Sequence, residues 1–397
     1  MIVVVGAGAA GVMATIFAAR AGGQVLTIER TAEGGQKILI SGGGRCNVLP
    51  TQLVPERFVT DSAPHLMRGM LRSWPLAQQR AFFENDLGLP LALEADTGKL
   101  FPASNRARDV RDALVGHARA LGAQFQFNVS LTGLEPAADG WTAHTTRGPI
   151  QASRVVLATG GLSVPATGSD GGGLRIAESL GHRVHAVYPA LTPLLSDPPG
   201  HASLSGVSLH VRLRARAGTR VVETSGGFLF THRGYSGPSV LDISHVFVRN
   251  RDAAIRVQWS RLNALEWQAV LARAGGLVMS TMSAHLPQRL VAQLMAEVGV
   301  PAERRAADLR RVERIGLIAG LTSYPLPATG DEGFKKAEVT GGGVALEDVD
   351  AKTLASRKHP GLFVCGEILD AFGPIGGHNF AWAWATGRLA GAAAAAH

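Results

Sequence analysis

The chain opens on Ile2-Val3-Val4-Val5, four β-branched or apolar residues in a row, and that run predicts a strand buried on both faces of a parallel sheet. Gly6-Ala7-Gly8-Ala9-Ala10-Gly11 follows, then a helical stretch over 12–21 and a second strand over 24–28 that ends at Glu29. Arg154-Val155-Val156-Leu157 and Leu362-Phe363-Val364 have the same apolar strand character, and each runs into small residues. From about Pro189 the pattern changes to short alternating segments such as 209–213, 227–230 and 255–259, which predict strands with one wet face. Over 265–317 the apolar residues recur three and four apart, a helical period. A last strand is expected near 321–326 and a closing helix over 380–396.

Composition narrows the class. At 397 residues the chain is long enough for two or three domains. With 46% apolar and 18% charged residues it is not a disordered chain. No window approaches the ~18 consecutive apolar residues of a membrane span. Met1 leads straight into the first strand without a charged segment, and the two cysteines, Cys46 and Cys365, exclude a disulfide-stapled scaffold. A soluble, cytoplasmic protein with no membrane partner is expected.

The net charge is +8, and arginine supplies 33 of the 39 basic residues. Arg212, Arg214, Arg216 and Arg220 alternate with apolar residues like the solvated face of a strand. Arg304, Arg305, Arg310, Arg311 and Arg314 are interleaved with Glu303, Asp308 and Glu313 on a helical pattern. Neither cluster carries the interleaved aromatics of a single-strand binding groove, so a nucleic-acid partner is not the first expectation.

Glycine, at 49 residues, carries most of the chemistry. Gly6, Gly8 and Gly11 stand between a strand and a helix as a dinucleotide fingerprint requires. The first makes the tight turn, the second lets a pyrophosphate approach the backbone, and the third lets helix and strand pack closely. Ala9 and Ala10 begin the helix whose free N–H groups would meet the phosphates. Glu29, with Arg30 beside it, stands where an acid accepts hydrogen bonds from the adenosine ribose.

Three later segments favour FAD over NAD. Lys37 and then Ser41-Gly42-Gly43-Gly44-Arg45-Cys46-Asn47 form a second glycine-rich loop that can wrap the pyrophosphate and ribityl chain, with Lys37 or Arg45 neutralising charge. Ala158-Thr159-Gly160-Gly161 ends one strand in small residues, and Gly366-Glu367 ends another in an acid suited to ribityl hydroxyls. Gly376, Gly377, His378 and Asn379 precede a helix beginning at Phe380, whose N-terminus would face the flavin ring.

These strings resemble a bacterial NAD(P)/FAD-dependent oxidoreductase family that includes a bile-acid-inducible reductase and members called aminoacetone oxidases. Besides SGGGRCN over 41–47, the resemblance rests on Thr167-Gly168-Ser169, on Phe230-Thr231-His232-Arg233-Gly234-Tyr235-Ser236-Gly237-Pro238 and on Ala337-Glu338-Val339-Thr340-Gly341-Gly342-Gly343-Val344. Gly366-Glu367-Ile368-Leu369-Asp370 completes it. It implies an α/β fold: a glutathione-reductase-type, Rossmann-like FAD-binding domain with an inserted β-rich domain and a small helical domain. The implied division is 1–188 and 337–397 for the FAD domain, 189–262 and 321–336 for the β-rich domain, and 263–320 for the helical one. It also implies that Val129, in a strand over 124–131, presents backbone to the adenine. The sequence departs from the family pattern at Val48-Leu49-Pro50, at Asp170-Gly171-Gly172-Gly173, at Phe372 and at His378, all near the expected ring or substrate.

The expected chemistry is hydride or electron transfer through non-covalent FAD, acting on a small organic substrate. No second fingerprint follows a strand, so NAD(P)H would dock transiently. His232, Tyr235 and His378 are the candidate catalytic residues, with Arg233 in the same loop as the first two. Cys46 reads as a packing residue rather than a redox thiol, there being no C-x-x-C, and no cluster has metal-ligand spacing. Two other classes remain open: a flavin-carrying RNA-binding or RNA-modifying protein, and a non-catalytic flavin-binding protein.

Overall fold

In the computed structural model, which describes residues 1–396 with the side chain of Arg220 excepted, the chain divides into two compact units. The first combines 1–188 with 339–397, and the second is 189–338.

The first unit is built on a five-stranded sheet ordered Leu362–Val364, Arg154–Leu157, Ile2–Val5, Val25–Glu29, Gln124–Phe127, with every neighbour parallel. Ile2–Val5 and Val25–Glu29 are buried at every position, as strands covered on both faces must be. From the central strand the chain passes to Val25–Glu29 on one side, while Arg154–Leu157 occupies the other. The switch point of the sheet therefore lies at Gly6.

Two helices lie side by side on this sheet, Ala9–Arg20 and His378–Ala395. Their faces meet through small residues: a Cβ on Gly387 would overlap the Ala10 carbonyl oxygen, and one on Gly391 that of Ala14. Both helices begin earlier than the pattern predicts, at Ala9 and His378 rather than 12 and 380, because Gly8 and Gly377 serve as their N-caps. A three-stranded meander of Leu131–Ala137, Gly140–Thr145 and Gly148–Ala152 follows the sheet in sequence. A small sheet of Leu49–Pro50, Lys99–Pro102 and Leu91–Glu94 follows the 41–47 loop.

The second unit has a seven-stranded antiparallel sheet whose long members are Ser208–Ala217 and Arg220–Phe230. Along 208–217 the buried positions are Val211, Leu213 and Ala215, and the residues between them are exposed. Helices Ala264–Arg273, Val278–Ser283, Gln288–Val298 and Arg311–Thr322 share one hydrophobic cluster with the sheet, joining Leu213, Phe228 and Trp259 to Trp267, Leu294 and Leu317. The sequence divides this stretch into β-rich and helical pieces, whereas the structure packs both around one core.

The helix that begins at Arg311 continues through Thr322, so the strand expected over 321–326 shrinks to Tyr324–Pro325. Leu321 extends the buried face of Leu317 by one more turn, and Pro325 cannot continue the helix. Glu313, read as part of a solvated charge pattern, is 3% exposed. It is clamped by Arg310 at 2.5 Å and Arg304 at 3.2 Å.

Candidate functional site

The carboxyl edge of the parallel sheet collects the fingerprint residues. Gly6 has φ +101°, and a Cβ there would lie 2.6 Å from the Ala158 carbonyl oxygen; one on Gly11 would overlap the Gly6 carbonyl oxygen. Only glycine fits at either place. Gly8 is different: its φ of −77° suits any residue, and a Cβ would meet no protein atom within 4 Å. The helix it caps has no side-chain cap and no acid in its first turn. The N–H groups of Ala9, Ala10 and Gly11 thus lack intrahelical acceptors and carry the positive end of the helix dipole. An open, uncapped helix N-terminus at the switch point of a parallel sheet is a site for a phosphate group.

Glu29 closes this end. It is 8% exposed. Its Oε2 accepts from Ala7 N–H at 2.7 Å, and its Oε1 from Thr31 N–H at 2.7 Å and Thr31 Oγ1 at 2.8 Å. These bonds fix the carboxylate at the sheet edge and leave the second lone pair of Oε2 for a hydroxyl donor. Arg30 turns away to pair with Asp170. Val129 lies outside the strands, which end at Phe127 and resume at Leu131, and its N–H is spent on the Glu29 carbonyl at 2.9 Å. Asn128, at φ +56°, makes the break.

The second part of the candidate site is formed by two segments far apart in sequence, 41–47 and the entry to His378–Ala395. Gly42, Gly43 and Gly44 have φ of +56°, +69° and +83°, so the turn at 41–44 is left-handed and glycine-dependent, and a Cβ on Gly43 would meet open space. Ser41 Oγ caps back to Ile38 O at 2.9 Å. Cys46, itself at φ +61°, is fully buried, and burial pushes its thiol up to about 12. The Asn47 amide, oriented to satisfy both neighbours, donates to Leu49 O and accepts from Gly377 N–H, each at 3.2 Å. Trp384 Nε1 donates to Val48 O at 3.1 Å. The 41–47 loop and the entry to the last helix are therefore one structure. Gly377, at φ +90°, passes so close to the 49–50 peptide that a Cβ would lie 2.7 Å from Leu49 C.

Several charged and amide groups expected to contact the cofactor are committed to one another. Lys37 Nζ binds Glu367 Oε2 at 2.6 Å and Ser163 Oγ at 2.5 Å. Glu367 Oε1 accepts from Ser163 Oγ at 2.6 Å and Thr340 N–H at 3.1 Å. Arg45 pairs with Glu94 at 3.0 Å and lies over the Phe101 ring at 4.1 Å. Asn379 spends its amide on its own loop, accepting from Gly373 N–H at 2.8 Å and donating to Gly373 O at 2.9 Å. Phe380 stacks on Trp384 with ring centres 5.3 Å apart. Gly366 N–H binds Thr386 Oγ1 at 3.0 Å, holding the turn before Glu367 against the last helix.

Of the strand-end turns, Gly160 has φ +71°, and a Cβ on Gly161 would overlap Thr340 Oγ1. Thr159 Oγ1, between these and Ala158, is buried without a hydrogen-bond partner. Sequence reading missed Ser163, Thr340 and Lys99. Lys99 Cε would lie 3.4 Å from a Cβ at Gly376. Thr340 sits within one of the recognised strings, but Ser163 and Lys99 carry no local signal.

The candidate catalytic residues are placed differently from expectation. His378 is 7% exposed, with Nδ1 bonded to Ile375 O at 3.1 Å. Burial and, next, the nearby Arg57 hold its pKa down to about 4, so it is neutral at ordinary pH and is no imidazolium acid. Tyr235, in the second unit, is fully buried, and its hydroxyl bonds His201 Nδ1 at 2.8 Å. It is a core residue rather than part of an exposed loop. His232 and Arg233 occupy the exposed turn of the hairpin between Arg220–Phe230 and Gly234–Ser236, with Arg233 3.6 Å from Glu332.

The residues present fit an FAD. The helix N-terminus at Ala9 is uncapped, and a Cβ at Gly8 or at Gly43 would meet no protein atom within 4 Å, so both turns leave room for a ligand against the backbone. A second helix N-terminus stands beside the 41–47 loop.

Comparison with known proteins agrees with this fold. The family model described as HI0933-like protein Rossmann domain matches residues 1–393. Ribosomal RNA dihydrouridine synthase of Escherichia coli is 32% identical over 394 residues, covering 97% of this chain and 95% of that protein. The 3-dehydro-bile acid delta(4,6)-reductase of Clostridium scindens is 31% identical over 407 residues, covering 99% and 98%. Among solved structures, 3-ketosteroid-delta4-(5alpha)-dehydrogenase from Rhodococcus jostii RHA1, in complex with 4-androstene-3,17-dione, superposes with a TM-score of 0.50 at 17% identity. That match covers 100% of this chain and 96% of the other.

Proposed function

This chain belongs to the HI0933-like family, and from that premise we propose that it is an FAD-dependent oxidoreductase acting on a carbon–carbon double bond conjugated with a carbonyl. The observation that carries the reading is the open, uncapped N-terminus of Ala9–Arg20 at the switch point, with Gly366 packed against Ala10 and the 41–47 loop tied through Asn47 to Gly377 at the entry of His378–Ala395. The double bond is supported by the two relatives' names, one a dihydrouridine synthase and the other a delta(4,6)-reductase.

Bound FAD supplies the redox chemistry, taking up and giving up a hydride. The chain's own residues bind and orient. The Ala9–Gly11 amides hold the pyrophosphate, and Glu29 holds the adenosine ribose. The Lys37–Ser163–Glu367 network fixes the turn beside the ribityl chain. The N-terminus of His378–Ala395, with Lys99 beside Gly376, would favour negative charge on a flavin ring bound there. NADH or NADPH, docking transiently, is the proposed reductant.

A small organic enone is the substrate on the first reading. A uracil base in RNA is the second, favoured by the net charge of +8 and by the name of the Escherichia coli relative. Anaerobic reduction of the bound flavin by NADPH or NADH, followed by mixing with a 3-oxo-Δ4 steroid or a ribosomal RNA fragment, tests both. Reoxidation with formation of the saturated product is the expected result. A flavin that both substrates leave reduced contradicts the proposal.

A further inference from the structure

The strand Ser208–Ala217 turns Val211, Leu213 and Ala215 into the core of the second unit, and turns Arg212, Arg214 and Arg216 outward, all three exposed. Successive outward residues on a strand stand about 6.6–6.8 Å apart, so the three guanidinium groups form an evenly spaced row. The neighbouring strand Ala254–Gln258 places Arg256, also exposed, directly opposite Arg214. On the other side Glu223 faces Arg214 at 3.4 Å, with both side chains more than half exposed, so this pair is weak.

The remaining guanidinium groups are not neutralised. Arg216 Nε donates to Gly218 O and Arg256 Nη1 to Ser323 O, which are neutral acceptors. Arg212 has neither a carboxylate nor a hydrogen-bond partner among the described residues. A solvated sheet face needs polarity, which mixed charges provide. Like charges directly opposite on adjacent strands work against the sheet. A single-sign row that includes such a pair has a physical use in the field it offers a polyanion. Guanidinium forks grip phosphate in two-point fashion, and no Phe, Tyr or Trp stands on these outward positions to stack a base.

We propose that this face of the second unit is a track for the phosphodiester backbone of an RNA strand, gripped through its phosphates irrespective of sequence. The proposal rests on the RNA reading above and adds a location to it. The test is fluorescence anisotropy of the flavin-loaded protein with a labelled single-stranded RNA across a potassium chloride series. Single-stranded DNA and anionic phospholipid vesicles are parallel probes. Three proteins are compared: the wild type, the triple variant Arg212→Ala/Arg214→Ala/Arg216→Ala, and a control with Arg273→Ala/Arg305→Ala/Arg311→Ala, which removes equal charge elsewhere in the same unit.

The ladder variant is expected to bind RNA at least tenfold more weakly at low salt. Its plot of log affinity against log salt should be shallower by about 2, since each phosphate contact with a single strand contributes roughly 0.7. The control should lose less than half as much, and flavin content and reduction should be unchanged in both. DNA bound as tightly as RNA supports a phosphate track equally. No RNA binding by the wild type, equal losses in the two variants, or binding to vesicles alone overturns it. Failure of the oxidoreductase reading would appear in the flavin measurements instead.

Discussion

Gly8 and Gly11 are three residues apart and have opposite reasons for being glycine. A side chain at 11 collides with the Gly6 carbonyl, whereas one at 8 meets no protein atom. Gly8→Val is therefore expected to fold with a melting temperature within about 3 °C of the wild type, as substitutions without a buried clash do, while losing its flavin. Flavin absorbance per chain and thermal melting, measured on one preparation, check both halves. His378 gives a residue-scale pH dependence. Its folded pKa of about 4 lies below the ordinary 6.5, so between those values the unfolded chain holds a proton that the folded chain does not. Stability accordingly rises with pH across that window and is lost on acidification, by on the order of 3 kcal/mol in full. Melting curves of His378→Asn between pH 6.5 and 4 should depend less steeply on pH than those of the wild type. The glycines were legible in the sequence because a turn's demand for a missing Cβ is local. The partners of Lys37 and Arg45 were not, because they stand 330 and 49 residues away and residue type does not choose among them.

The pairing of Ala9–Arg20 with His378–Ala395 matters most among the elements, because it fixes both helix N-termini at once. Their close approach depends on Gly387 and Gly391 lying against the backbone of Ala10 and Ala14. Gly391→Ala forces the helices apart and is expected to cost about 1–3 kcal/mol, as overpacking does. Chemical denaturation measures it, and weaker flavin retention should accompany it. The strands of the parallel sheet were readable because burial on both faces leaves an unbroken apolar run. The second unit was less so. Its helices between 264 and 322 are short and joined by turns, and the end of the last one depends on Leu321 being drawn into the core. The family resemblance placed Val129 within a strand, but the left-handed Asn128 ends that strand early.

On the scale of the whole molecule, the nucleotide-binding unit is made of the chain's two ends, and the 189–338 unit interrupts it. The two hydrophobic clusters share no residue, so each unit has a core of its own. Replacing 189–338 by a short flexible linker is expected to leave a folded protein that still takes up FAD but no longer turns over substrate. Gel filtration with absorbance detection tests the first part. Among the described residues no helix is long and apolar enough to cross a membrane. Calorimetric titration of FAD into flavin-stripped wild type and Gly8→Val asks whether the backbone at the N-terminus of Ala9–Arg20 holds FAD. Saturation at one FAD per chain in the wild type, with no binding by the folded variant, is the predicted result. A folded wild type that takes up no FAD, or a variant that binds it equally well, would rule this site out.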